Sequence, residues 1–157
     1  MVAEASTEPQ TEAATQVTGT AALSQDLSYV EGIGEVYAGK LREVGVDSPQ
    51  VLLDRGGTPQ GRQELSEASG ISGTLILEWV NHVDLFRIKG VGSEYADLLE
   101  EAGVDTVVEL AQRNPANLYE KLTEVNAEKS LVRTLPNQSE VEDWVAQAKN
   151  LPRMISY

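Results

Sequence analysis

The chain states nearly the same nineteen residues twice, 58 positions apart. Residues 30–48 read VEGIGEVYAGKLREVGVDS, and residues 88–106 read IKGVGSEYADLLEEAGVDT. Each copy runs Gly, one aliphatic residue, Gly, a short helix-like segment, then Gly-Val-Asp. Repetition constrains architecture before any other feature does, because each copy must build the same local unit. A Gly-x-Gly turn that opens onto a helix is either a tight structural reversal or a backbone cradle for phosphate. The remaining residues have to separate those readings.

From Leu23 onward apolar residues recur at helical spacing, and no stretch alternates as a half-buried strand would. Val36, Tyr37, Lys40, Leu41 and Val44 fall on one helical face, repeated by Tyr95, Leu98, Leu99 and Ala102. Gly45 and Gly103 stand where a helix ends in the left-handed conformation. Ser48-Pro49, Thr58-Pro59 and Asn114-Pro115 read as N-caps followed by proline in the first turn. Thr106 with Glu109 reads as a capping box. A looser echo joins residues 65–85 to residues 122–151, pairing Trp79 with Trp144 around an insertion, EKSLVRTLP. The expected fold is all-α: a tandem repeat of two units, residues 26–86 and 87–157, with about ten short helices. The expected core is Ile33, Tyr37, Leu41, Val44, Leu52 and Trp79, repeated as Val91, Tyr95, Leu99, Ala102, Leu110 and Trp144.

Composition removes several functions. The first 25 residues are rich in Ala, Thr, Glu and Gln and hold no aromatic residue. Such a stretch buries too little apolar surface to offset its ordering entropy, so it reads as a flexible acidic tail. It lacks the basic start and apolar core of a secretory signal, and no apolar run approaches the ~18–20 residues that span a bilayer. These points lead to an expected cytoplasmic location. With no cysteine there are no disulfides, thiolate metal sites or cysteine nucleophiles. The net charge of −13 opposes long-range attraction to nucleic acid or anionic lipid.

The segment GIGEVYAGKLREVGVDSPQVLL, followed by LSEASGIS, resembles the paired helix-hairpin-helix domain at the N-terminus of archaeal RadA-type recombinases. Residues 27–157 as a whole resemble a bacterial family of tandem helix-hairpin-helix proteins, a domain of unknown function. In nucleic-acid-binding relatives of this kind, the resemblance implies, the hairpin offers backbone N–H groups to a phosphate beside Lys or Arg. The matching glycines are Gly32 and Gly34, then Gly90 and Gly92. Glu31 and Glu35 flank the first turn, whereas Arg87, Lys89 and Ser93 flank the second, followed by Glu94. A third turn, Gly70-Ile71-Ser72-Gly73, has no base closer than Arg62.

Two groups of residues emerge as possible contacts. Arg87, Lys89, Gly90, Gly92 and Ser93 form a possible phosphate or nucleic-acid site. Lys129, Arg133, Lys149 and Arg153 form a possible basic patch, unless Glu124, Glu128 and Asp143 pair with them. His82, the only histidine, reads as a surface or half-buried helix residue, and the acidic runs at Glu100-Glu101 and Glu140–Asp143 as solvated faces. No activated nucleophile, phosphate-binding Lys-Ser/Thr loop or ligand cluster is present, so neither an enzyme nor a cofactor or metal site is expected. The reading is a non-catalytic interaction module that binds a protein partner or scaffolds an assembly. The alternative is non-specific binding of a DNA or RNA backbone through the second hairpin.

Overall fold

Side-chain caps decide where the helices begin. Ser48, Thr58, Thr106, Asn114 and Asn137 each accept a hydrogen bond from the backbone N–H three residues ahead, and each opens a helix. In this computed structural model residues 21–157 are described, and the first 20 residues lie outside them. Eight α-helices follow two 3-10 turns, Ala21–Ser24 and Leu27–Tyr29. They are α1 (Glu35–Glu43), α2 (Pro49–Gly56), α3 (Pro59–Ser69), α4 (Gly73–Leu85), α5 (Ser93–Glu101), α6 (Val107–Ala111), α7 (Pro115–Lys129) and α8 (Gln138–Lys149). Among the described residues there is no strand. The count is eight rather than about ten; residues 130–137, most of the insertion, stay irregular: the Asn126 amide brackets the Val132 backbone, at 2.9 and 3.1 Å, and Tyr95 donates to the Thr134 carbonyl.

The four helices before Phe86 and the four after it choose corresponding neighbours. α2 packs on α4 as α6 packs on α8, α3 on α4 as α7 on α8, and α1 on α3 as α5 on α7. Contacts of α4 with α5 join the two sets. Trp79 and Trp144 are buried and sit under the two Gly-x-Gly turns: a β-carbon on Gly32 would lie 3.1 Å from the indole nitrogen of Trp79, and one on Gly90 3.2 Å from that of Trp144. Tyr37 and Tyr95 pack against the same indoles, at 5.1 and 5.3 Å between ring centroids. Tyr37 and Val44, expected in the core, are only half-buried, and Val36 is 71% exposed. Glu109 completes its cap on the Asp105 N–H rather than on Thr106.

Gly45 and Gly103 end α1 and α5 at φ +91° and +96°. Val46 and Val104 then bury completely, their N–H groups donating back to Leu41 and Leu99. Gly45→Val or Gly103→Val forces a β-branched residue into that region and should cost more than the ~1 kcal/mol of a simple propensity change. Urea unfolding followed by circular dichroism measures it.

Three features of the packing are long-range. Residues 21–24, inside the stretch expected as tail, form a 3-10 turn that packs on α2 and buries Ala22. The Tyr29 hydroxyl accepts the Ser93 N–H at the start of α5. Residues 152–157 run back as an extended strap over α2, α3 and α4: Ser156 donates to the Gly57 carbonyl at 2.7 Å, and Ile155 is buried. Arg62, 8% exposed, donates to the carbonyls of Gly56 and Ser156, while Arg87 donates to Asp84 and to the Pro152 carbonyl.

Candidate functional site

The second Gly-x-Gly turn puts its donors to internal use. Gly90 adopts φ +97°, and Gly92 caps α5 without a side-chain bond, so the local shape matches a phosphate cradle. Its chemistry does not stay open. The Arg87 guanidinium, 11% exposed, is held by Asp84 and Pro152. The backbone of Lys89 is clamped by the Gln147 amide at both its N–H and its carbonyl. Ser93 gives its N–H to Tyr29, and its hydroxyl meets His82. Only the Lys89 side chain faces solvent without an ion pair among the described residues. The five residues are thus adjacent, with Arg87, the Lys89 backbone and Ser93 engaged in internal bonds.

The second basic group is spread over the end of α7, the segment after it, the end of α8 and the strap. Lys129 pairs with Glu101 of α5 at 2.8 Å, not with Glu124, Glu128 or Asp143. Arg153 lies in the strap, bonded to the Ile155 carbonyl; burial, then Glu109 and Asp84, push the nearby Tyr157 phenol above its ordinary pKa, with Arg153 and Arg62 opposing. Arg133 and Lys149 are exposed, in the irregular segment after α7 and at the end of α8, with no ion pair among the described residues.

A feature that the sequence did not disclose lies where α4, α5 and the turn before α6 meet. Glu78, Asn81, Glu100 and Asp105 line a cleft of about 170 Å³. Helical spacing places Glu78 and Asn81 on one side of α4, and α5 supplies Glu100 opposite. Partial burial, then the Glu109 and Glu100 carboxylates, push the Asp105 carboxyl above its ordinary pKa. Asp97, on the same helix as Glu100, is raised by partial burial and then by Glu31, Glu100 and Glu101, with His82 opposing. The cleft is lined by three carboxylates and an amide, with no Lys or Arg among the lining residues. The Tyr157 hydroxyl donates to Asn81 at its edge.

Beside the cleft His82 is buried, at 2% exposure, rather than at the surface or half-buried as expected. Its Nδ1 lies 3.0 Å from Glu100 Oε2 and its Nε2 3.2 Å from Ser93 Oγ, with Phe86 packed edge-on. Serine, imidazole and carboxylate in that order can activate a nucleophile, but a reacting oxyanion also needs preorganised donors. At Ser93 the helix-start N–H is already given to Tyr29, and the adjoining cleft is lined by carboxylates. What this relay does visibly is lock α4 to α5. Sequence reasoning missed it because His82 stands 11 residues from Ser93 and 18 from Glu100, a separation with no local spacing signature.

Residues 31–151 match the family described as Domain of unknown function (DUF4332). The chain belongs to that family. No curated protein and no solved structure gives a match. Among the described residues no cluster of three or more His, Asp or Glu side chains could hold a metal ion, and no helix is long and apolar enough to cross a membrane.

The raised carboxyls fix a pH dependence. Groups whose folded pKa exceeds the unfolded value bind more protons when folded, so the stability they contribute grows as pH falls through the folded pKa. It is lost as pH rises through that value. Asp26, lowered by hydrogen bonds from Ser28 and by Arg42, acts in the opposite direction, but only as pH drops below the ordinary carboxylate range of about 3.9. The urea midpoint should therefore gain as pH falls through the raised pKa values of Asp97 and Asp105 toward the ordinary carboxylate range, and Asp97→Asn with Asp105→Asn should flatten that gain.

Proposed function

We propose that the chain is a non-catalytic interaction module built from two helix-hairpin-helix units, residues 26–86 and 87–157. In this reading it binds a basic segment of a protein partner at the cleft between α4 and α5. The observation that carries the proposal is the lining of that cleft: Glu78, Glu100 and Asp105 supply three carboxylates with no Lys or Arg among the lining residues. A lysine or arginine side chain placed among Glu78, Glu100 and Asp105 relieves their mutual repulsion. The repulsion itself makes the free site ready to accept a cation. The module's charge of −13 would steer such a partner toward it.

Nucleic-acid binding through the second hairpin is the alternative. It is supported by the shape at Gly90 and Gly92 and opposed by the internal bonds of Arg87 and Ser93. One pair of titrations separates the readings. A fluorescent lysine-rich peptide should bind the full chain, weaken steeply with salt, and lose binding in Glu78→Gln/Asp105→Asn. Fluorescent duplex DNA should not bind. DNA binding tighter than about micromolar at ~0.15 M salt, abolished by Lys89→Glu, would reverse the order. Lys89→Glu is the cleaner variant because Arg87 is part of a buried ion pair.

A further inference from the structure

His82 and Gln147 hold the same place in the two units, each three residues after the buried tryptophan of its helix, Trp79 in α4 and Trp144 in α8. In the second unit that place is filled by an amide, which clamps the Lys89 backbone and keeps its charge at every pH. In the first it is filled by the only histidine of the chain, 2% exposed. Histidine is the side chain whose ordinary titration falls between pH 5 and 8. Its hydrogen bonds suit both charge states. When the imidazole is neutral, Nδ1–H donates to Glu100 Oε2 and Nε2 accepts from the Ser93 hydroxyl; when it is charged, both nitrogens donate and Ser93 Oγ accepts. Protonation therefore breaks neither bond.

The charge so gained lies against the cleft. Glu100, 3.0 Å away and 24% exposed, lines it from α5, and Glu78, one helical turn before His82, lines it from α4. Asp97 of α5 also interacts with the imidazole. The other charges nearby are already engaged. Asp84 is paired with Arg87, and Lys129 of α7 with Glu101. The Tyr29 hydroxyl holds the Ser93 N–H. From α2 and α3, which pack on α4, come buried Leu52, Leu53 and Leu65, and the Arg62 guanidinium is turned to the Gly56 and Ser156 carbonyls. We propose that His82 regulates the cleft: the neutral imidazole leaves Glu100 available to a lysine or arginine of the partner, and the protonated imidazole takes Glu100 as its own counter-ion and weakens that hold. The inference rests on the cleft being a cation site and adds its release by acid. Two cations sharing one carboxylate, roughly 6–7 Å apart, weaken binding about threefold even at the dielectric of water.

The test uses the full chain and a fluorescent, N-terminally acetylated lysine-rich peptide, whose own charge is constant from pH 8 to pH 6. At low salt the wild type should bind about threefold or more weakly at pH 6 than at pH 8. His82→Gln installs the residue of the second unit and should lose the larger part of that dependence. What remains belongs to Asp97 and Asp105, whose raised carboxyls act in the same direction. A level wild-type affinity, or a fall of equal size in both chains, overturns the regulation and leaves the cleft reading standing. No binding by either chain at pH 8 overturns the cleft reading and the regulation with it. Should His82→Gln fail to fold, the wild type suffices, because its single histidine gives one Cε1–H proton resonance. By linkage, a peptide that prefers the neutral form must keep it neutral to lower pH. That resonance should titrate at lower pH with saturating peptide than without, and a titration that peptide leaves in place overturns the proposal.

Discussion

Asp84→Ala should lower the unfolding free energy by about 3–5 kcal/mol, the range for breaking one side of a buried ion pair. Its carboxylate, 3% exposed, accepts from Arg87 at 2.9 Å and from the Val107 N–H, also at 2.9 Å, at the start of α6. Truncation strands a guanidinium that is 11% exposed and removes the partner of a buried amide. Two penalties thus fall on one residue. The equivalent residue 58 positions earlier is Asp26, whose bond to Arg42 has the same length but lies in solvent, with the partners 59% and 46% exposed. Asp26→Ala should cost far less, because water screens that pair. Adding Arg87→Met to Asp84→Ala should recover part of the loss, since the stranded charge is then gone. Urea unfolding of the four chains tests the set, and equal losses for Asp84→Ala and Asp26→Ala would refute the argument.

Gly61→Ala is the second large effect, at about 3 kcal/mol or more. A β-carbon at Gly61 would lie 2.0 Å from the Arg55 carbonyl oxygen, so backbone rather than a pliable side chain must move. That motion would open the turn between α2 and α3, where Gly56 and Gly57 are buried. The same substitution at Gly39, inside α1, meets nothing within 4 Å. There the gain in helix propensity should stabilise the chain by about 0.5–1 kcal/mol. Opposite signs for one chemical change would show that local space, rather than glycine itself, decides.

Local features were the legible ones. Ser48, Thr58 and Asn114 carry cap and proline side by side, and each opens a helix as the pattern required. Gly45 and Gly103 announce a left-handed residue because a helical face stops beside them, and the two tryptophans sit in apolar stripes that had to be buried. The misreadings all concern partners distant in sequence. Nothing near His82 says that Ser93 and Glu100 will enclose it. Asp84 stands only three residues before Arg87, but nothing near Arg87 says that Pro152, 65 residues on, will take its other nitrogen, and so the second turn looked more like a phosphate site than its bonds allow. The strap was invisible for the same reason. RMISY has no periodicity, and its recognition by Gly57 and Arg62 depends on backbone atoms that no side-chain pattern encodes.

The Arg62–Ser156 bond spans 94 residues, and the Ser156–Gly57 bond 99. A ribosome adding about 5–20 residues per second makes Arg62 roughly 5–20 s before the carbonyl that completes its hydrogen bonding. During that interval the first four helices exist with a guanidinium and a groove waiting for a segment not yet synthesised. Contacts so far apart in sequence also slow folding, because loop closure must precede their reward. The earliest folded form during synthesis is therefore one with an open groove, and the atoms that seal it are made later.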